Sequence, residues 1–462
     1  MEIQFSVSHK EPELIAPAKP TPQEVKELSD IDDQKGLRFH IPMIVFYNSG
    51  PRMDGMDPAR ILRDAISKAL VYYYPFAGRL IEGPGNKLMV DCTAEGVLFR
   101  EATAEVTLEQ LQRVMQPPFL HSKEFLLDVP GSTEILGSPL MLIQVTSLIC
   151  GGIVFAVREN HALSDGIGLV QFLNAVSQIS KDPLSVPSPL PVWQRKLLNA
   201  RNPPHVTCVH NEYEVGKNTN DNTKTTLDDP ENLVRKGFFF GSQEIKALKK
   251  SLPPNIGISS KFDLITAFVW RSRTISLQLD PDEVVSLTCA VNLRGKSYLN
   301  LPIGYYGNVY VSPAAVSKVE MLCNNSLGYA VELLKKAKAQ VDEDFFKSAI
   351  DFNVMHGKPG YSTMLKNIFV ADASRTGIDV IDFGWGKPIY GGTMDGGPYP
   401  NNIIYARVRN SQGEQGIVVP VCLPNAAMKK FEEEVEKIIL EPLEECNKSE
   451  HARTISRIAS ML

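Results

Sequence analysis

The chain has 462 residues, 43% hydrophobic and 22% charged, which predicts a folded protein of two domains rather than a single core or a disordered chain. The formal net charge is -5 and no long run of Lys or Arg occurs, which argues against a nucleic-acid partner and against membrane-surface binding. The longest apolar runs, such as Pro139 to Val145, are far shorter than the roughly 20 residues of a membrane-spanning helix.

The cysteines and the two ends of the chain bear on its compartment. No C-x-x-C pair occurs among the seven cysteines, so we expect reduced thiols and neither a disulfide framework nor a zinc site. Acidic residues and prolines precede any apolar stretch of signal-peptide length, which predicts that the protein is not secreted. Ser460, Met461 and Leu462 approximate the Ser-Lys-Leu peroxisomal signal and predict binding to a peroxisomal import receptor, with the cytosol as the alternative location.

The first predicted elements are a strand, a helix and a pair of short strands. The apolar run Ile41 to Tyr47 predicts a buried strand. Asp57 followed by Pro58 is typical of a helix start, with the aspartate as N-cap. Leu88 to Asp91 and Gly96 to Arg100 are short apolar runs close in sequence, and we expect them to pair with each other.

A longer hairpin is predicted from Leu140 to Arg158, turned at Gly151 and Gly152. Its second strand runs directly into His161. Ser164 is the predicted N-cap of the amphipathic helix that follows. His161 is therefore expected at a strand-to-helix junction, where a side chain can face a channel.

A second alternation of strands and helices follows a proline-rich and then polar stretch, which predicts a crossover. The elements predicted beyond it are strands at Lys236 to Phe240, Val284 to Asn292 and Val309 to Pro313, helices at Ser242 to Leu252 and Phe262 to Leu277, and a C-terminal helix capped by Asn425. Two such blocks predict a mixed α/β (α+β) protein with domains at 1–195 and 231–462, joined by a crossover at 196–230.

Two short segments carry the strongest functional signal. HALSD places His161 four residues before Asp165, and DFGWG places Trp385 between Gly384 and Gly386. Further signature segments are LSDIDD (28–33), YYYPFAGRL (72–80), FDLITAFVW (262–270), NLRG (292–295) and GYYGN (304–308). In this order and spacing, the set resembles the plant BAHD acyl-CoA-dependent acyltransferases over nearly the whole chain.

The resemblance implies a fold, a reaction and its substrates. It implies two chloramphenicol-acetyltransferase-like domains, each a mixed sheet with helices, and an enzyme that uses acyl-CoA as co-substrate with no bound cofactor and no metal. It is greatest to the members that esterify benzyl alcohol and the alcohols of volatile esters, so the expected reaction converts benzoyl-CoA and benzyl alcohol into benzyl benzoate and CoA. Acetyl-CoA or another acyl-CoA with a different alcohol is the alternative. The expected partners are these small molecules, and the expected state is a monomer.

His161 is the predicted catalytic residue, because an imidazole accepts and releases a proton near neutral pH. By the resemblance, it accepts the proton of the alcohol while the alcohol oxygen attacks the thioester carbonyl directly, without an acyl-enzyme. The sequence contains no G-x-S-x-G nucleophile elbow, which agrees with direct transfer. Asp165 is expected to pair with Arg294 and to orient the site rather than relay a proton.

Other site residues follow from the resemblance alone. Asp382 of the DFGWG segment is expected to be structural, since the family places this segment away from the catalytic histidine. Ser259, Ser260 and Lys261 match a family segment near the CoA channel, although ordinary helix capping explains them equally well. Donors for the oxyanion are expected within Phe369 to Thr376, where the chain departs from a Thr-x-Trp pattern of the hydroxycinnamoyl-transferring members.

Two hypotheses of a different class stand beside the enzyme. The first is a catalytically silent CoA-binding protein of the same fold, and the intact His161, Asp165 and Arg294 argue against it. The second is a metal hydrolase that uses His161 and Asp165 as ligands. No third ligand at suitable spacing is visible in the sequence, which argues against that second hypothesis.

Overall fold

The strands and helices belong to a computed structural model that describes residues 3–50, 55–112, 114–131, 134–214, 230–254, 256–360 and 364–438. The predicted import signal, Ser460 to Leu462, lies outside these residues. The strands are β1 (Val7–His9), β2 (Glu13–Ile15), β3 (Val25–Glu27), β4 (His40–Tyr47), β5 (Arg79–Glu82), β6 (Leu88–Asp91), β7 (Val97–Ala104), β8 (Met141–Leu148), β9 (Ile153–Asn160), β10 (Leu233–Phe240), β11 (Val284–Cys289), β12 (Val291–Asn292), β13 (Tyr310–Val311), β14 (Ala314–Lys318), β15 (Ile368–Asp372), β16 (Tyr390–Thr393), β17 (Asn402–Arg409) and β18 (Gln415–Pro424). The helices are α1 (Pro58–Tyr72), α2 (Leu108–Gln112), α3 (Ser122–Phe125), α4 (Gly166–Lys181), α5 (Asn211–Glu214), α6 (Ser242–Lys250), α7 (Lys261–Leu277), α8 (Val319–Asn324), α9 (Leu327–Ala339), α10 (Glu343–Met355) and α11 (425–438).

Two large mixed sheets organise these elements. The first has the order β1-β7-β8-β9-β4-β16, with β2 also paired to β7, and the second has the order β10-β18-β17-β15-β11-β14. In the first sheet β7 and β8 run parallel, and in the second β15 runs parallel to both β11 and β17. Two smaller sheets, β3-β6-β5 and β12-β13, complete the arrangement. The predicted mixed α/β class is confirmed.

Several predicted elements are present close to their expected bounds. The buried strand β4 spans His40–Tyr47, and β8 and β9 form the long antiparallel hairpin. Helix α1 begins at Pro58, and the Asp57 carboxylate accepts the Arg60 amide at 3.0 Å, which makes Asp57 the N-cap. The local sequence was sufficient to predict these elements, because their apolar pattern and their capping residue match the burial and the caps in the structure.

Three predictions about elements were wrong. Leu88–Asp91 and Val97–Ala104 do not pair with each other: β6 joins the three-stranded sheet, whereas β7 joins the first large sheet. Left-handed backbone at Ala94 and Gly96 turns the chain from one sheet to the other. The predicted strand from Val284 to Asn292 is two strands in different sheets, and the last helix begins at residue 425 instead of being capped by it.

One strand of the second block completes the first sheet. β16 pairs antiparallel with β4, matching Thr393 with Met43, and the residues before it pack in the first hydrophobic core, including Ile381 and Phe383. The boundaries at 195 and 231 stay a prediction. The segment around residues 378–394 nevertheless belongs structurally with the first sheet.

An ion pair and hydrogen bonds hold the described part of the crossover against α10. Arg201 forms an ion pair with Asp351 at 2.6 Å, and the amides of Thr207 and Cys208 donate to the Ser348 hydroxyl. His210 is also buried there, with its Nε2 2.8 Å from the same hydroxyl. None of the helices within the described ranges is long and apolar enough to span a membrane.

Candidate active site

A cavity of about 630 Å³ lies between the two large sheets. One wall comes from Phe39, directly before β4, and from Ile41 and Met43 of β4, which share a face because successive strand side chains point to opposite sides. The opposite wall comes from the second sheet, through Phe369 and Ala371 of β15 and Ile404 of β17. The intervening residues Ile368, Val370 and Ile403 point into the second core instead. The cavity therefore has apolar sides from both halves of the chain.

His161 lines this cavity on the loop between β9 and α4. Its main chain is held on both sides: its amide donates to the Phe39 carbonyl at 2.9 Å, and its carbonyl accepts the Asn308 side-chain amide at 2.9 Å. Its ring meets the Phe39 ring edge-on, with centroids 5.3 Å apart. Nδ1 is buried without a hydrogen-bond partner among the described residues, so we expect a ligand in the cavity to meet Nε2.

Burial decides the protonation state of His161. Removal of the ring from water lowers the pKa of His161 below its ordinary value of 6.5, and the nearby His161 carbonyl and Asp165 carboxylate only partly oppose this shift. At neutral pH this lowered pKa favours the uncharged ring, which can accept a proton. This is the state that a general base requires.

Asp165, not Ser164, is the N-cap of α4, so the predicted cap was displaced by one residue. The Asp165 carboxylate accepts the amides of Ile167 at 3.1 Å and Gly168 at 3.0 Å. The Ser164 hydroxyl instead donates to Glu159 at 2.6 Å, and burial raises the pKa of Glu159 well above the usual carboxyl range. Both residue types cap helices well, and the buried carboxyl engages the serine.

The other oxygen of Asp165 faces the second half of the chain. It accepts a hydrogen bond from Arg294 at 2.5 Å and from the Val309 amide at 3.1 Å. Arg294 also donates to the Gly307 carbonyl. The geometry contains the pairing that the resemblance implied, and these four hydrogen bonds of the Asp165 carboxylate go to main-chain amides and to Arg294. Asp165 also lines the cavity. Its role in the reaction stays a prediction.

The DFGWG segment lies against α4 and does not line the cavity. Asp382 accepts the amides of Gly384 and Gly386, each at 2.8 Å, and both glycines have positive φ. Trp385 packs against Tyr47 in the first core, and hydroxyls of α4 bind the carbonyls of Asp382 and Phe383. The arrangement is that of a braced turn, and the structural role of Asp382 stays a prediction.

The three predicted CoA residues also lie outside the cavity lining. Ser260 is the N-cap of α7 and exchanges hydrogen bonds with Asp263, whose amide it accepts at 3.1 Å. Ser259 donates to the carbonyl of Gly257. The capping role is thus present in the geometry, whereas CoA binding by Ser259, Ser260 and Lys261 stays a prediction.

The predicted oxyanion segment does reach the cavity. Five residues between 369 and 376 besides Phe369 line it, namely Ala371, Asp372, Ala373, Arg375 and Thr376. The Ser374 and Thr376 hydroxyls donate within the segment, to Asp372 and to the Ala373 carbonyl. Neither hydroxyl proton is therefore free for a ligand in this arrangement.

Sequence reasoning missed several lining residues. Lys35, Tyr310, Asn292 and Asn402 contribute polar atoms, and Phe39 and Met43 contribute the apolar wall. These positions are far apart along the chain and meet only in the folded protein, so spacing along the chain carries no signal for them. Within the described ranges no cluster of three or more His, Cys, Asp or Glu side chains is arranged to hold a metal ion.

Comparison of the sequence and the fold with known proteins assigns the chain to a family. The sequence matches the Transferase family over residues 5–438. It is 51% identical to benzyl alcohol O-benzoyltransferase of Petunia hybrida over 441 residues, covering 95% of each chain, and 50% identical to alcohol acyltransferase 16 of Actinidia chinensis var. chinensis, covering 94% of each. The crystal structure of vinorine synthase superimposes with a TM-score of 0.69 at 23% identity, covering 92% of this chain and 96% of that one. That structural likeness supports the two-domain fold.

Proposed function

The chain belongs to the Transferase family, the BAHD acyltransferases, and is an acyl-CoA-dependent alcohol acyltransferase; from that premise we propose that it transfers a benzoyl group from benzoyl-CoA to benzyl alcohol. The products are benzyl benzoate and CoA. One observation carries the proposal: His161 lines a cavity with apolar sides between the two halves of a chain that is 51% identical to a benzyl alcohol O-benzoyltransferase.

The proposed mechanism is direct transfer in a ternary complex. Nε2 of His161 takes the hydroxyl proton of the alcohol as the alcohol oxygen attacks the thioester carbonyl. The tetrahedral intermediate then collapses, the carbon–sulfur bond breaks, and the CoA thiolate recovers the proton from the imidazolium. The lowered pKa of His161 supports the first step, because it keeps the ring unprotonated at neutral pH.

The cavity walls support an aromatic acyl group and an aromatic alcohol. Its volume of about 630 Å³ lies in the usual range for small-molecule sites. Phe39 and Phe369 face it from opposite sheets and offer rings against which an aryl group can pack. Two cations, Lys35 and Arg375, line the same space, and Arg375 is 77% exposed, which suits contact with the phosphates of CoA.

The alternative within the same class is a shorter donor such as acetyl-CoA with another alcohol. It is supported by the relatives named alcohol acyltransferase at about 50% identity. Aromatic and aliphatic donors differ in what they require of the cavity, so their relative rates decide between the two proposals.

A panel assay tests both the class and the substrates. Purified protein is given benzoyl-CoA, acetyl-CoA and other acyl-CoAs with benzyl alcohol and aliphatic alcohols, and free CoA and ester are both measured. We expect the highest kcat/KM for benzoyl-CoA with benzyl alcohol. A higher kcat/KM for acetyl-CoA would overturn the benzoyl proposal and leave the alcohol acyltransferase class intact.

His161→Ala tests the mechanism in the same assay. We expect the variant to lose turnover while it still binds CoA, measured by calorimetry. His9→Ala is the matched control, since His9 is an exposed histidine that does not line the cavity. Equal turnover by His161→Ala and wild type would exclude His161 as the general base.

A further inference from the structure

A buried carboxylate next to the His161 loop has no role in the proposed reaction. Asp32, in the LSDIDD segment, is fully buried, and five hydrogen bonds satisfy it. One oxygen accepts both the main-chain and the side-chain amide of Asn308, each at 2.9 Å. The other accepts Arg195 at 2.7 Å and the hydroxyl and amide of Ser29 at 2.6 and 3.1 Å. Asp32, Arg195 and Asn308 are called the Asp32 network below.

Both partners of Asp32 continue to the loop that carries His161. The Asn308 side-chain amide donates to the His161 carbonyl at 2.9 Å, and Arg195 donates its second nitrogen to the Leu163 carbonyl at 2.8 Å. The Asp32 carboxylate and the His161 carbonyl can only accept hydrogen bonds, so the NH₂ group of the Asn308 side chain must face them and its oxygen must point away. One carboxylate thereby determines the positions of two carbonyls in the His161 loop.

The rest of the network is closely packed. The Arg195 guanidinium stacks over the Trp193 ring at 4.3 Å and over the Tyr306 ring at 4.9 Å, and it is 1% exposed. Burying such an ion pair costs solvation energy, and well-packed apolar side chains usually serve stability as well or better. Stability alone is therefore a poor explanation for this arrangement beside His161.

We propose that the Asp32 network is a positioning unit: through Asn308 and Arg195 it sets the main chain of the His161 loop and so aims the imidazole at the cavity. The inference rests on the proposed role of His161 as general base. It gives functions to LSDIDD and GYYGN, two segments whose roles the sequence left open. Asp32, Arg195 and Asn308 act through His161 and touch no substrate.

Asn308→Ala is the test variant, because it removes the donor to His161 and leaves the main-chain amide of residue 308 bonded to Asp32. A misplacement of about 1 Å can lower a rate by about 100-fold, so we expect kcat to fall by at least about tenfold with an unchanged Kd for acyl-CoA. The histidine ¹³C NMR signal of His161, assigned with His161→Gln, should also move in the absence of substrate.

Asn353→Ala is the matched control. Asn353 is equally buried, and its side chain likewise donates to a carbonyl, that of Ala349 at 3.1 Å, and to a second polar group, the Tyr213 hydroxyl. It lies on α10, outside the cavity lining. We expect Asn353→Ala to leave the His161 signal and the kcat of folded protein unchanged.

Each outcome decides the proposal. An unmoved His161 signal and an unchanged kcat in Asn308→Ala would overturn it, as would equal losses in Asn308→Ala and Asn353→Ala that follow the folded fraction. If the wild type transfers no acyl group but the His161 signal still moves only in Asn308→Ala, the positioning unit stands and the proposed function fails. Should Asn308→Ala not fold, Arg195→Lys replaces it, because lysine keeps the charge but cannot donate in two fixed directions.

Discussion

Asp165 offers the sharpest test of whether a site residue acts in the chemistry or in the architecture. Its carboxylate caps α4 through two amides and also binds Arg294 and the Val309 amide. Asp165→Ala removes all four interactions at once. If the residue is structural, the loss must appear in the free energy of unfolding as well as in the rate.

The expected loss in the free energy of unfolding is the sum of two contributions, the N-cap and the ion pair. Removal of an N-cap costs about 1 kcal/mol. Arg294 would be left without its carboxylate where the two side chains are only 19% and 13% exposed, and breaking such a pair costs about 3 kcal/mol. We therefore expect Asp165→Ala to lower the free energy of unfolding by about 4 kcal/mol.

Two further variants separate these parts. Asp165→Asn keeps a good N-cap but loses the ion pair, so it should cost about 3 kcal/mol. Asp57→Ala removes only the corresponding N-cap of α1, in an exposed position away from the cavity, and should cost about 1 kcal/mol. Denaturant titration measures each value, and turnover of benzoyl-CoA is recorded on the same preparations.

The result that would refute this reasoning is specific. If Asp165→Ala loses activity but is destabilised no more than Asp57→Ala, the carboxylate takes part in proton transfer and the structural interpretation is wrong. If both activity and stability fall together in Asp165→Ala and Asp165→Asn, the interpretation holds.

Four further predictions use the same protein. Because burial lowers the pKa of His161, the acid limb of the kcat/KM profile should lie below pH 6.5, and a limb at or above that value would contradict the burial argument. Glu159 has a raised pKa in the folded state, so its contribution to stability is present at low pH and is lost as pH rises above the ordinary carboxyl range. In denaturant titrations, Glu159→Gln should therefore have the same free energy of unfolding as wild type near pH 4 and a higher one at pH 8. The same change of unfolding free energy with pH in both proteins would contradict this prediction. Phe39→Ala should lower kcat/KM for benzoyl-CoA more than for acetyl-CoA, by about 2- to 10-fold, because an aromatic pair contributes about 0.5–1.5 kcal/mol; equal effects on both donors would place the aryl group elsewhere. Gly168→Ala would bring a Cβ within 2.0 Å of the Tyr306 carbonyl oxygen, and we expect the free energy of unfolding to fall by about 1–3 kcal/mol. A variant as stable as wild type would show that α4 can shift away from Tyr306.

Local chemistry made part of the structure predictable. The strand at His40–Tyr47, the hairpin of β8 and β9 and the cap at Asp57 all follow from periodicity and side-chain type. His161 at a strand-to-helix junction follows from the same patterns. At these places the preference of the local sequence and the final fold agree, so no contact with residues far along the chain was needed for the prediction.

The rest depended on contacts between distant parts of the chain. Ser164 and Asp165 are equally good caps in isolation, and Glu159 and Arg294 decide between them. Hydrophobic pattern identifies a strand but not its partner, which is why β6 and β7 were expected to pair with each other. The apolar walls of the cavity escaped prediction for the same reason, since Phe39 and Phe369 are far apart in sequence.

The pairing of β4 with β16 has a consequence for how the polypeptide is made. β4 carries Ile41 and Met43 into the cavity, yet the strand that covers its outer edge ends at Thr393. During synthesis the backbone N–H and C=O groups on this edge of β4 therefore stay unpaired until most of the polypeptide has emerged, and such edges pair with strands of other chains. We expect heterologous production to favour slow synthesis at low temperature, and expression of the first half alone to give aggregates.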